Sequence, residues 1–148
     1  MKVEIYSKQA LKALMEAGFP KGTAVISFYT PRRTYRPEET RLDLESACTR
    51  VFYVGIPDLD RKVLAEYGYT EETYLAEADE LAAFIREAHD DGLALICQCD
   101  YGQSRSAACA AAVLQFYEGR GIDVFADDRY YPNQFVYNKV MKALQKED

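Results

Sequence analysis

The chain has 148 residues, 49% hydrophobic and 28% charged, which indicates one globular domain over residues 1–148 with a sizeable core. Its formal net charge of −6 argues against general nucleic-acid binding and against docking on anionic membranes. No apolar run approaches the ~20 residues of a membrane-spanning helix, and charges interrupt the N-terminal segment, so no signal peptide is expected.

The cysteines indicate where the chain is expected to reside. Without a secretion signal, Cys48, Cys97, Cys99 and Cys109 are expected to be reduced thiols in a cytoplasmic protein. Cys97 and Cys99 form only a C-x-C pair, and His89 is the sole histidine, so neither a zinc site nor another metal site is expected.

Apolar, β-branched segments alternate with helical patterns along the chain. In chain order they predict a strand at 3–6, a helix capped by Ser7 and stopped by Gly18, a strand at 23–29 and a loop through 30–40. A strand at 50–56, an irregular segment, and a long helix from Thr70 or Glu71 through His89 follow. The last predicted elements are a strand at 93–97, a helix at about 105–117 and a helix opened by Pro132.

Strands that are apolar throughout and separated by helices predict an α/β fold. Its central sheet is mostly parallel, has about four to five strands and is flanked by helices on both faces. Ligands of such sheets bind beyond the carboxyl ends of the strands. Cys99 lies at that edge, just after the strand predicted at 93–97.

The stretch CDYGQSRS, residues 99–106, has the composition of an anion-binding loop. A strand that turns into a helix N-terminus can direct several backbone N–H groups at an anion. Gly102 permits a conformation that other residues resist, and Arg105 can offer two parallel donors to a phosphate. The same donors would stabilise a thiolate on Cys99, so the loop predicts phosphoryl transfer to sulfur.

CDYGQSRS resembles the C-x-x-G-x-x-R-[S/T] signature of the cysteine-dependent protein tyrosine phosphatases, especially the compact dual-specificity group. The segment YVGIPDLD resembles the strand and loop that deliver the general acid of this family. The helix before the signature strand and YYPNQFVYNKVMKAL resemble further family elements, so the likeness covers most of residues 50–145.

The resemblance implies roles for the loop. Cys99 would be the nucleophile, Arg105 the phosphate clamp, and Ser106 the partner of the departing thiolate. Backbone amides of the substrate-binding loop would hold the phosphate oxygens: those of Asp100, Tyr101, Gly102, Gln103, Ser104 and Arg105. No metal or cofactor would be needed, because the arginine and the amides supply the positive field.

A carboxylic acid must protonate the leaving oxygen. Aligning YVGIPDLD with the family pattern favours Asp60, and Asp58 is the alternative if Pro57 kinks the loop. An aspartate in a turn after proline is also common without any catalytic role.

The loop offers one cation and no lysine, so a single phosphomonoester fits it best, on a phosphorylated protein or a small molecule. Arg32, Arg33 and Arg36 could attract an anionic substrate, or simply form a solvated loop. The family usually has His before the nucleophile, where this chain has Gln98, which cannot carry a positive charge. A weak or inactive phosphate-binding module, a sulfurtransferase resembling rhodanese, and phytase-like or RNA-triphosphatase-like activity are the alternatives.

Overall fold

The computed structural model describes residues 1–32 and 35–146. The strands are β1 (Val3–Ser7), β2 (Thr23–Tyr29), β3 (Arg50–Gly55) and β4 (Ala94–Cys99). The helices are α1 (Lys8–Ala17), α2 (Pro37–Thr40), α3 (Ala78–Asp90), α4 (Arg105–Glu118), α5 (Ile122–Phe125) and α6 (Gln134–Gln145). Two 3₁₀ turns, Arg61–Val63 and Ala65–Tyr67, lie between β3 and α3.

The strands of the described residues form one parallel sheet in the order β1-β4-β2-β3. β4 lies inside the sheet, between β1 and β2, and its residues are buried from Leu95 onward. The expected α/β fold with a parallel sheet of four to five strands is thus confirmed, with four strands. Parallel pairing brings the carboxyl ends of all four strands to one edge, where β4 ends in Cys99.

Alternation along the strands separates two apolar layers. On one face, Val25 and Ile96 pack with Leu11 of α1 and with Leu44. The other face carries the larger layer, in which strand residues pack against α3, α4 and α6: Ala24, Ile26, Leu95, Cys97, Leu81, Ile85, Cys109, Val136 and Val140. Helices therefore cover both faces, as the sequence predicted.

The predicted helix at Thr70 or Glu71 begins later, at Ala78. Leu75 has a left-handed backbone with φ of 58°, a conformation that costs a residue with a Cβ atom about 1–2 kcal/mol and interrupts the helix. The Lys139 ammonium holds the turn by donating to backbone carbonyls that include those of Glu71 and Tyr74. Tertiary contacts thus override a helical pattern that is visible in the sequence.

The short helices α2 and α5 were not predicted, and the loop through 30–40 contains α2. Neither helix exceeds four residues, which is too short for a hydrophobic period to show. No helix of the described residues is long and apolar enough to cross a membrane.

Candidate active site

Cys99 is the last residue of β4, and its side chain is buried at the carboxyl end of the sheet. Its register partner on β1 is Ser7, the N-cap of α1, so the first helix begins beside it. The Cys99 Sγ atom lies 3.0 Å from the Oγ atom of Ser106 in the first turn of α4. The strand-to-helix connection therefore places the thiol in hydrogen-bond contact with the serine that follows the loop.

The surroundings of the Cys99 thiol act on its pKa in opposite directions. Burial raises the pKa, because a thiolate is poorly solvated inside a protein. The hydroxyl and amide of Ser106, the charge of Arg105 and the amide of Ser104 lower the pKa, and together they outweigh burial. The pKa of Cys99 is therefore lower than that of an ordinary cysteine, which favours the nucleophilic thiolate.

Amides from other segments bind the carbonyl groups of the loop that connects β4 to α4. Three such bonds run from Lys8 to Asp100 at 3.2 Å, from Tyr131 to Gln103 at 2.8 Å, and from Asn133 to Ser104 at 3.2 Å. The N–H and C=O groups of a trans peptide point in opposite directions, so the N–H groups of these peptides face the inside of the loop. The Ser104 amide, for example, hydrogen-bonds the Cys99 sulfur.

Gly102 lets the loop pass directly over the end of β1. Its φ is 68°, in the left-handed region, and a Cβ atom there would lie 2.6 Å from the Ser7 nitrogen and 2.8 Å from the Tyr6 carbonyl carbon. Any larger residue would therefore be strained and would also collide with backbone. Position 102, which the sequence singled out, therefore requires glycine for both a conformational and a steric reason.

Arg105 is 3% exposed, and its guanidinium is held from several sides. Nη1 donates to the Thr30 hydroxyl (3.1 Å) and to the Ile56 carbonyl (2.5 Å), and Nη2 lies 3.2 Å from the Asp100 carboxylate. The Thr30 hydroxyl also donates to Asp100, at 2.9 Å. Among the described residues, the Arg105 Nε atom is buried without a hydrogen-bond partner. A buried unpaired N–H on a cation is costly, and an anion's oxygen is the partner that would satisfy it.

These groups share a cavity of about 210 Å³. It is lined by Thr30, Asp58, Cys99, Asp100, Tyr101, Gln103, Ser104 and Arg105. The Tyr101 side chain is 82% exposed and stands at the mouth of the cavity. The structure thus brings the loop residues together as the sequence suggested, and adds Thr30, which directly follows β2 at the same sheet edge.

The two candidate acids occupy different places. The Asp58 carboxylate lines the Cys99 cavity and accepts hydrogen bonds from the Ser104 hydroxyl (2.8 Å) and the Asn133 side-chain amide (2.9 Å). The Asp60 carboxylate instead caps the first 3₁₀ turn by accepting from the Lys62 amide, and it lines a neighbouring cavity. Of these two residues, Asp58 lines the cavity that contains Cys99, and it lines the neighbouring cavity together with Asp60. The choice of the acid stays a prediction.

Asn133 has a role beyond the helix cap that the sequence indicated. Its side-chain oxygen accepts from the Val136 amide at the start of α6, as a cap does. Its amide nitrogen donates both to Asp58 and to the Leu59 carbonyl. No local pattern reveals this contact, because it joins segments about seventy-five residues apart.

Gln98 is buried and bound to the neighbouring strand. Its side-chain oxygen accepts a hydrogen bond from the Ser27 hydroxyl at 2.5 Å, and the two residues are also register partners in the sheet. Alternation places its side chain on the opposite face of β4 from Cys99. The glutamine thus provides a neutral hydrogen bond that ties β4 to β2 next to the loop.

One of the arginines in the loop through 30–40 lies close to the site. Arg32 lines a cavity of about 490 Å³ that also includes Thr30, Asp100 and Tyr101, so it lies beside the Cys99 cavity, whereas Arg33 lies outside the described residues.

The second cysteine of β4, Cys97, is not activated. A hydrogen bond with Cys109 and burial raise the pKa of Cys97, so that thiol is kept neutral.

We expect the Cys99 thiol to titrate at a lower pH than an ordinary cysteine, because hydrogen bonds from Ser106 and Ser104 and the charge of Arg105 lower its pKa. The rate of alkylation by iodoacetamide should rise with pH to a plateau whose midpoint is the thiol pKa, and Ser106→Ala should move that midpoint upward by removing a hydrogen bond to the thiolate. Cys48 is half-buried and its pKa is raised by burial, so Cys48→Ser supplies the control for background labelling. An unshifted midpoint in Ser106→Ala would contradict the assigned contact.

Comparisons with known proteins identify the fold. No family model and no curated protein matches the sequence. Among solved structures, human DUSP28 is 19% identical, with a TM-score of 0.55, covering 97% of this chain and 91% of that one. The human tyrosine phosphatase-like serine/threonine/tyrosine-interacting protein is 18% identical, with a TM-score of 0.56 and coverage of 92% and 83%. Tk-PTP in its active form is 14% identical, with a TM-score of 0.56 and coverage of 99% and 94%.

These likenesses extend over nearly the whole chain, at identities that establish the fold and not the activity. The fold shown by these neighbours agrees with the parallel sheet described above. The chain therefore has the fold of the cysteine-dependent protein tyrosine phosphatases, in the compact form of the dual-specificity phosphatases.

Proposed function

We propose that this chain is a phosphomonoester hydrolase that acts through a phosphocysteine intermediate on Cys99. The observation that carries the proposal is one cavity in which a buried thiol of lowered pKa, an arginine with an unpaired Nε atom, and a carboxylate meet. A phosphate fits that set, because its oxygens pair with the arginine and the loop amides while its phosphorus faces the sulfur.

In the first step the Cys99 thiolate attacks phosphorus. The S–P bond forms, the P–O bond to the leaving group breaks, and Asp58 gives its proton to the leaving oxygen. Arg105 and the inward-facing amides hold the equatorial oxygens, whose charge they balance. In the second step water attacks phosphorus, Asp58 takes the proton of the water, and the S–P bond breaks. The Ser106 hydroxyl, already 3.0 Å from the sulfur, stabilises the departing thiolate.

We assign the acid to Asp58 because its carboxylate shares the cavity with the thiol. The Ser104 hydroxyl and the Asn133 amide hold it there. The Asp60 carboxylate instead accepts a hydrogen bond from the Lys62 amide of the adjacent 3₁₀ turn.

The substrate we propose is a phosphorylated protein with a single target phosphate. Asp100 places a carboxylate beside Arg105, so the cavity has little spare positive charge for a second phosphate. Beyond the mouth, Lys8, Arg32 and Tyr35 line the neighbouring cavity and suit acidic or aromatic residues next to the phosphorylated one.

We expect the purified protein to hydrolyse p-nitrophenyl phosphate in the presence of EDTA. Cys99→Ser should lower kcat by at least about a thousandfold, because the hydroxyl is a far weaker nucleophile, while vanadate binding persists. Cys48→Ser is the matched control. In the described residues, the Cys48 thiol hydrogen-bonds the Leu44 and Arg50 carbonyls and no group of the candidate site. Vanadate binding without turnover in the unmodified protein would instead support the inactive binding module.

The choice of acid can be tested with leaving groups of different basicity. Asp58→Asn should lower kcat/KM for phenyl phosphate by about a hundredfold, and for p-nitrophenyl phosphate much less, because a good leaving group departs without a proton. Asp60→Asn should change both substrates by the same small factor. The opposite outcome, with the selective loss in Asp60→Asn, would return the acid to the residue that the sequence favoured.

A further inference from the structure

The Tyr74 side chain lies beneath the segment that carries Asp58. Its ring is buried and its hydroxyl donates to the Pro57 carbonyl at 2.7 Å. The same oxygen accepts a hydrogen bond from the Leu59 amide at 3.3 Å. One phenol thus binds the backbone immediately before and immediately after Asp58.

Tyr74 itself is held in place by α6. Its ring stacks on Phe135, with centroids 5.6 Å apart and planes 17° apart. Its carbonyl accepts from the Lys139 ammonium, which also binds the Glu71 carbonyl at 2.8 Å. The turn that presents Tyr74 includes the left-handed Leu75, whose backbone is strained. The chain thus keeps an unfavourable conformation at the point that orients this ring.

The Asp58 segment is anchored to α6 by two separate routes. Asn133, the cap of α6, binds the Asp58 carboxylate and the Leu59 carbonyl directly. Tyr74 binds the Pro57 carbonyl and the Leu59 amide, and stacks on α6 through Phe135. Between them, the two side chains bind the peptide groups on both sides of Asp58 as well as its carboxylate. A general acid needs its carboxyl within hydrogen-bond reach of the leaving oxygen, and this anchoring defines that position.

Burial raises the pKa of Tyr74 to about 12, so the phenol remains protonated and able to donate across the physiological range. Phenylalanine would fill the same space between Tyr69 and Phe135 while removing both hydrogen bonds. The hydroxyl, rather than the ring, is therefore the group whose contribution can be isolated.

We propose that the Tyr74 hydroxyl is a positioning group that sets the reach of Asp58 toward the leaving oxygen, an inference that rests on the assignment of Asp58 as the acid. It does not touch the reacting atoms. Its effect is to bind the backbone on both sides of Asp58, so that the carboxyl does not have to be ordered at each turnover.

The test is Tyr74→Phe, with Tyr53→Phe as a matched control. Tyr53 makes the same pair of bonds elsewhere: its hydroxyl donates to the Leu42 carbonyl and accepts from the Leu44 amide, each at 2.8 Å. Both variants lose one hydroxyl and two backbone hydrogen bonds. A general loss of stability should therefore appear in both, and only the Tyr74 variant should alter leaving-group dependence.

We expect Tyr74→Phe to lower kcat/KM for phenyl phosphate about tenfold more than for p-nitrophenyl phosphate, and Tyr53→Phe to leave the ratio of the two unchanged. In the Asp58→Asn background, Tyr74→Phe should add no further change to that ratio, because the two residues act on one step. Equal ratios in Tyr74→Phe and the unmodified protein would overturn the proposal. A large ratio change in both tyrosine variants would also overturn it, since the effect would then be a general one.

A structural measurement keeps the inference independent of turnover. Exchange of the Leu59 amide hydrogen should become faster in Tyr74→Phe and stay the same in Tyr53→Phe, because that amide loses its acceptor only in the first. Unchanged exchange in Tyr74→Phe would refute the anchoring role. Faster exchange in Tyr74→Phe, with no leaving-group effect in Asp58→Asn, would sustain the anchor and refute the proposed acid.

Discussion

The site depends on hydrogen bonds in which backbone amides outside the loop between β4 and α4 donate to the carbonyl groups of that loop. The amides of Lys8, Tyr131 and Asn133 each bind one of them, and the peptide N–H groups consequently face inward. Those donors are oriented when the protein folds, so neither the thiolate nor a phosphate has to reorganise them on binding. The three amides come from the start of α1 and from the segment leading into α6, which explains why parts of the chain remote in sequence are needed to form the short loop between β4 and α4.

The positive charge of Arg105 is partly offset by the Asp100 carboxylate beside it. Arg105 lowers the pKa of the Cys99 thiol, but Asp100 and Thr30 bind the same guanidinium. The ion pair orients the arginine and leaves its Nε atom available, and it also offsets part of the positive charge that a phosphate would meet. Gln98 adds no charge, because its hydrogen bond to Ser27 is neutral.

Local patterns in the sequence were sufficient for the sheet, for most helices and for the loop. Cys99, Gly102 and Arg105 lie within seven residues, and their geometry follows from a strand that turns directly into a helix. The acid could not be chosen in the same way, because Asp58 and Asp60 have the same chemistry and are two residues apart. The contacts that distinguish them come from far away in the chain: Asn133 binds the Asp58 carboxylate, and Tyr74 binds the backbone beside it. The late start of α3 has the same origin, since Lys139 stabilises a turn at Leu75 that no local pattern indicates.

If Cys99 receives the phosphoryl group, rapid alkaline quenching of the protein during turnover of p-nitrophenyl phosphate, followed by mass spectrometry of its peptides, should detect the intermediate. We expect one additional phosphoryl group on the peptide that contains Cys99, absent from Cys99→Ser and unaffected by Cys48→Ser. Turnover in which every peptide stays unmodified, or in which the phosphoryl group is found on another residue, would contradict it.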